Sequence, residues 1–140
     1  MKVVLDASAV GKWYLIEEES KDMRKLRDEI LIGEVEAHVP ELMLIELANL
    51  LRYARGLSPE DVVKGVRAAM SIGLIMHRFD ELLEKAVEIA FKESLTVYDS
   101  TYVALTENLN AMLITYDDRL LKNVKRACKA NEILSRLNSL

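Results

Sequence analysis

Cysteine is nearly missing from this chain: the single Cys128 excludes an internal disulfide and a cysteine-rich zinc site, and it suits a reducing cytoplasm. Glycine is scarce, and Gly11, Gly33, Gly56, Gly65 and Gly73 form neither a phosphate-cradling loop nor a nucleotide fingerprint. The only histidines, His38 and His77, lie far apart without Cys or His partners at metal-ligand spacing, so both read as structural. No apolar run approaches the roughly 18 residues of a membrane span, so no membrane partner is expected. The N-terminus opens on a strand pattern and shows no signal-peptide layout. Repeats, low-complexity tracts and obvious linkers are lacking too. Glutamine is absent and charge is plentiful, a composition of hot environments, against which the six methionines argue.

What is present is globular. The 140 residues are 51% hydrophobic and 30% charged, which fits one domain over residues 1–140 with a sizeable core. Val3 to Leu5 is a continuous β-branched run of the kind buried in a parallel sheet. A helix is expected around Ser8 to Ile16, and another from Ser20 as N-cap to Ile32, closed by Gly33. Glu36 to Val39 reads as a strand. Pro40 then suits the first turn of a helix reaching Arg55, closed by Gly56. Ser58-Pro59-Glu60-Asp61 opens a helix to about Met70. Leu74 to His77 reads as a strand, and Asp80 as the cap of a periodic helix through Phe91. A helix from Val97 to Asn108, a strand from Ala111 to Thr115 and a helix from Asp118 to Val124 follow. A short strand near Cys128 and a helix from Asn131 are expected in the last 15 residues. Alternating strands and helices imply a three-layer α/β/α sandwich with a mostly parallel central sheet.

Four acids stand at the edges of apolar segments: Asp6 after Val3-Val4-Leu5, Glu46 inside Leu42 to Ala48, Asp99 before Ser-Thr-Tyr-Val-Ala-Leu, and Asp117 after Met112 to Tyr116. Ionised carboxylates near a core are costly unless a positive charge joins them. If folding gathers these four, the counter-charge suited to oxygen ligands is Mg²⁺ or Mn²⁺. In a parallel sheet the strand C-termini share one edge, which would place Asp6 and Asp117 together. Each acid also has a plainer reading. Asp6 can cap the helix that follows it. Glu46, Asn49 and Tyr53 share one helix stripe, which can be solvated or can face a groove with Asn49 supporting Glu46 by a hydrogen bond. Thr96 and Asp99 resemble a capping box. Of the doubled acids, Asp117 is expected in the site and Asp118 as the cap. Ser8 and Thr115 lie where their hydroxyls can support Asp6 and Asp117.

The formal charge of −4 is unusual for a protein that meets nucleic acid. Setting the four acids aside leaves nineteen acidic residues against 19 basic ones, so the surplus equals the proposed site. A late basic cluster, Lys122, Lys125, Arg126, Lys129 and Arg136, can hold phosphates or simply be a solvated helix face.

Val4-Leu5-Asp6-Ala7-Ser8-Ala9-Val10-Gly11-Lys12-Trp13 resembles the opening of PIN-domain proteins of the VapC toxin type. Pro40-Glu41-Leu42 leading to Glu46-Leu47-Ala48-Asn49 is similar to that family's second acidic helix. Thr96 to Leu105 resembles its third motif, and Leu113-Ile114-Thr115-Tyr116-Asp117-Asp118-Arg119-Leu120 its fourth. The four stand in order between about residues 2 and 124; the resemblance fades in the C-terminal tail. It implies a PIN-like fold and a Mg²⁺- or Mn²⁺-dependent endoribonuclease, commonly the toxin of a toxin–antitoxin pair. It further implies an RNA substrate, an antitoxin partner whose basic segment blocks the acidic cleft, and a homodimer or higher homo-oligomer. Asp6, Glu46, Asp99 and Asp117 would be the catalytic, metal-holding quartet, with Ser8 and Thr115 as accompanying hydroxyls. Lys12 or Arg119 could neutralise a flanking phosphate. Two rivals are a PIN-like binding module without activity and a Mg²⁺-dependent phosphoacceptor domain; the latter would want an acidic pair near the first strand, where this chain has one Asp.

Overall fold

Val3, Val4 and Leu5 are wholly buried on strand β1 (Lys2–Leu5), as a strand covered on both faces must be. The computed structural model, which describes residues 1–139, sets β1 in the middle of a five-stranded sheet. β2 (Glu36–Pro40) and β3 (Ile75–His77) lie to one side, β4 (Met112–Ile114) and β5 (Ala127–Cys128) to the other. The order is β3-β2-β1-β4-β5, and all these pairings are parallel. Val4 stands opposite His38 in β2 and Leu113 in β4. Eight helices flank the sheet among the described residues: α1 (Ala7–Gly11), α2 (Ser20–Leu31), α3 (Leu42–Arg52), α4 (Pro59–Met70), α5 (Phe79–Glu93), α6 (Val97–Leu109), α7 (Asp118–Asn123) and α8 (Ala130–Asn138). The expected α/β/α sandwich is what forms.

Helix α6 lies against β1, β2 and β4, and α5 packs upon it. Its residues Ser100 to Thr106 are all buried, so no face of that stretch meets water. Its buried serine and threonine hydroxyls turn back to their own helix: Ser100 donates to the Thr96 carbonyl at 2.9 Å, and Thr106 to that of Tyr102 at 2.8 Å. Most of the remaining core is aliphatic, with Met23, Leu26, Met43, Leu47, Leu51, Leu105, Leu113 and Ile133 fully enclosed.

Several expected boundaries move. Helix α1 stops at Gly11, where an added Cβ would meet Leu50 at 3.0 Å, instead of running to Ile16. Ser20 is not an N-cap. It is buried as the first residue of α2, and its hydroxyl donates to the Leu15 carbonyl at 2.7 Å. Pro40 ends β2, paired with His77, and does not begin a helix; α3 ends at Arg52, short of Arg55. Asp80 does not cap α5. The helix begins at Phe79, whose amide is received by the Glu41 carboxylate at 2.9 Å, while Asp80 pairs with Arg78. Ser58 and Asp61 form the reciprocal capping box that opens α4.

The histidines that seemed separate in sequence meet between β2 and β3. His38 Nδ1 lies 2.8 Å from His77 Nε2, and His38 Nε2 lies 2.6 Å from Glu36. Burial first, and the neighbouring ring second, hold His77 below the usual imidazole range.

Truncating Leu113, with no solvent exposure, should cost about 2–5 kcal/mol as Leu113→Ala in urea unfolding. Phe91→Ser, at a side chain 86% exposed, should stay within about 0.5 kcal/mol of the parent in the same measurement.

Candidate active site

After β1 the chain builds β2 and β3 on one side, then crosses to build β4 and β5 on the other. Strand order therefore reverses between β1 and β4. In open parallel sheets a crevice forms outside the strand carboxyl ends at such a reversal. Asp6 directly follows β1, and Thr115 to Asp117 follow β4, so both segments border this crevice.

Asp6 is buried, and three groups hold its carboxylate. Ser8 donates to Oδ1 at 2.6 Å, the Ala9 amide to the same atom at 3.0 Å, and Thr115 to Oδ2. Ser8 Oγ also accepts the Tyr116 amide at 2.9 Å, and Thr115 Oγ1 accepts the Asp117 amide at 3.1 Å. The two hydroxyls thus tie β1 to the segment after β4. As N-cap of α1, Asp6 fills the capping role and faces the cleft as well.

Glu46 projects from α3 and accepts a hydrogen bond from the Tyr102 hydroxyl of α6 at 2.6 Å. Thr96 caps α6 by accepting the Asp99 amide at 3.1 Å. The Asp99 carboxylate does not close the reciprocal half of a capping box. It receives Arg119 at 3.1 Å instead. At the last acid the expected assignment is half reversed. Asp117 itself caps α7, with Oδ1 accepting the amides of Arg119 at 2.8 Å and Leu120 at 3.4 Å, while Asp118 is exposed as the helix's first residue.

Asp6, Ser8, Glu46, Asn49, Asp99 and Asp117 line one cleft of about 470 Å³, floored and walled by Leu42, Ile45, Leu50, Tyr102 and Leu120. Thr115 stands behind Asp6, fully buried. Lys12 turns elsewhere: it pairs with Glu17 and lies 5.2 Å from the Tyr116 ring centroid. Three members of the late basic cluster are engaged by neighbours in the chain, while Lys122 and Lys125 are exposed. Lys129 pairs with Glu19 at 2.6 Å, Arg136 with Glu132 at 3.8 Å, and Arg126 donates to the Ala111 carbonyl at 3.2 Å.

Burial raises the Asp6 carboxyl pKa above the usual range, and the charge of Asp117 adds to the rise against the hydrogen bonds from Ser8, Thr115 and Ala9. Glu46 is raised as well, first by burial and then by Asp6 and Asp99, while the Tyr102 hydroxyl opposes the rise. These acids feel one another, so a cation between them would relieve both burial and repulsion. No group of three or more His, Cys, Asp or Glu side chains is already gathered closely enough to hold a metal among the described residues. The donor set nevertheless fits a hard divalent cation: oxygen-only, anionic, drawn from four elements, and with Asp6 already oriented by hydroxyls.

The PIN-domain profile matches residues 3–127 of the chain. The chain is a PIN-domain protein of the VapC type. It is 35% identical over 125 residues to Ribonuclease VapC3 of Pyrobaculum aerophilum, covering 86% of this chain and 92% of that one. Among solved structures, a Pyrobaculum aerophilum protein superposes with a TM-score of 0.71 at 23% identity, covering 100% of this chain and 97% of that one. A toxin–antitoxin complex from Klebsiella pneumoniae gives 0.69 at 12% identity, covering 91% and 97%, respectively. The four acids picked out in the sequence line this one cleft. Tyr102, which holds Glu46, is a cleft residue that sequence reasoning does not single out. Its signal was its place one helical turn beyond Asp99, on the same face.

Two outcomes follow from the electrostatics. A carboxyl whose pKa rises on folding contributes stability below its unfolded pKa and loses it as pH rises through the folded value. Without divalent cations, Asp6→Asn should therefore melt above the parent near neutral pH, and the gap should shrink on acidification; a gap independent of pH would contradict the raised Asp6 carboxyl. Tyr102→Phe should push the Glu46 carboxyl further up in an NMR titration, since the lost hydrogen bond favours the ionised form.

Proposed function

We propose that this PIN domain is a divalent-metal-dependent endoribonuclease, the toxin of a toxin–antitoxin pair, acting in the cytoplasm. The observation that carries the reading is the meeting of Asp6, Glu46, Asp99 and Asp117, from four separate segments, in one cleft at the strand-order reversal. The named activity of a relative 35% identical over 125 residues supports it.

Asp6, Asp99 and Asp117 would hold Mg²⁺ or Mn²⁺, with Glu46 holding a bound water or completing a second position. When bound, the cation supplies Lewis-acid polarisation of a phosphodiester oxygen and lowers the pKa of a water. The protein's own work is orientation. Ser8 and Thr115 fix both oxygens of Asp6, and the Tyr102 hydroxyl fixes Glu46. Asn49 lines the cleft next to Glu46 and can donate to substrate or water. The cleft's apolar lining from Leu42, Ile45 and Leu50 lowers the local dielectric around the carboxylates. In-line attack of water would leave a 5′-phosphate and a 3′-hydroxyl.

A cleft this anionic repels RNA until cations fill it, so metal and substrate bind in that order of need. The same charge suits a basic antitoxin segment, whose arginine can replace the cation. The toxin–antitoxin complex among the structural neighbours supports such a partner, and the family resemblance is the ground for proposing a homodimer or higher homo-oligomer. The sheet argues against a phosphoacceptor domain, because the order β3-β2-β1-β4-β5 is not the 2-1-3-4-5 order of flavodoxin-like receivers.

Incubation of antitoxin-free protein with end-labelled RNA tests the reading. Cleavage should require Mg²⁺ or Mn²⁺, stop with chelator, and fall by at least about 100-fold in Asp6→Asn, whose melt shows an intact fold. Full cleavage by Asp6→Asn, or in the presence of chelator, would refute it.

A further inference from the structure

Among the described residues, Arg119 is the guanidinium that meets the cleft acids, at Asp99 and Asp117. Its Nη2 lies 3.1 Å from Asp99 Oδ2 and 3.6 Å from Asp117 Oδ2, so a single nitrogen bridges carboxylates from two elements. Asp117 already gives its other oxygen to the start of α7, leaving Oδ2 for a cation. Asp99 is mostly covered, whereas the Arg119 side chain is 67% exposed. The positive charge thus reaches in from solvent on a flexible stem, with no buried packing to hold it there. We propose that Arg119 is the site's built-in counter-cation, occupying the place between Asp99 and Asp117 that a divalent cation must take, so that the two compete.

The chemistry of the competitors explains the arrangement. A guanidinium balances part of the repulsion among the acids while no metal is bound, and so it lets them stay together. A divalent cation carries twice the charge and accepts the same oxygen donors directly. Displacement needs only rotation of the Arg119 side chain, because the backbone amide that Asp117 receives stays where it is. Once displaced, the planar fork remains at the cleft mouth with its donors free, suited to a phosphate oxygen pair. Arg119 therefore sets a threshold: cation affinity is lower than the carboxylates alone would give, and the threshold falls with ionic strength as exposed pairs are screened.

This inference rests on the carboxylates being a cation site, and the test separates the two claims. Mn²⁺ binding is followed by isothermal titration and by electron paramagnetic resonance for the parent, Arg119→Gln and Lys122→Gln, with thermal melts confirming folding. Lys122 lies exposed on the same helix, so its removal changes net charge by the same amount without touching the bridge. Exposed ion pairs each shift an equilibrium by up to about fivefold, so Arg119→Gln should bind Mn²⁺ about three- to tenfold more tightly than the parent. Lys122→Gln should change affinity by less, and the advantage of Arg119→Gln should narrow at high salt. Equal or weaker binding by Arg119→Gln, or an equal gain in both variants, would overturn the role of Arg119 and leave the cation site standing. Absence of Mn²⁺ binding in all three proteins would overturn both.

Discussion

An ionisable carboxylate placed at the end of the central strand constrains this protein more than any other group. Asp6 is 5% exposed, and burial at that depth favours its neutral form. Ser8, Thr115 and the Ala9 amide offset part of that cost. The same hydroxyls receive the amides of Tyr116 and Asp117, so the hydrogen bonds that support the carboxylate also register β1 against the segment after β4. The carboxylate is disfavoured by burial, yet it gives the cleft an oxygen pair fixed by three donors. The fold carries a local instability at the place where chemistry needs it.

The remaining acids obey a related rule. Asp6 and Asp117 are N-caps, and Asp99 lies in the first turn of its helix. Helix N-termini present unpaired amides and partial positive charge, which support a carboxylate where bulk solvent does not. Structural capping and site formation are therefore one placement, not rival explanations. Glu46 lies inside a helix and lacks that support. The Tyr102 hydroxyl supplies a substitute from the facing helix. Three of the four carboxylates thus rest on neutral donors, while Asp99 is met by Arg119, a guanidinium that lies mostly in solvent.

Much of this was legible in the residues. Uninterrupted β-branched and aliphatic runs at Val3 to Leu5 and Met112 to Ile114 marked buried parallel strands, and those strands fixed where Asp6 and Asp117 lie. The Ser58-Pro59 start of α4 is a purely local signal and was read correctly. The failures share a cause. Helix α5 is capped by Glu41, 38 residues upstream, and Ser20 is held by a carbonyl from the preceding loop, so neither boundary was visible in a local window. Asp117 and Asp118 differ by one position, and only the turn geometry after β4 decides which one caps. Lys12 was drawn off by Glu17 and Tyr116, partners whose proximity follows from the turn after α1.

The central claim is that these carboxylates share a divalent cation. Anomalous diffraction from a crystal soaked in Mn²⁺ addresses it without reference to activity. The account predicts a peak within about 2.0–2.4 Å of oxygens from at least two of Asp6, Asp99 and Asp117, the usual range for hard divalent cations. Mn²⁺ bound only elsewhere on the protein, with the cleft carboxylates still facing Arg119 at saturating metal, would contradict it.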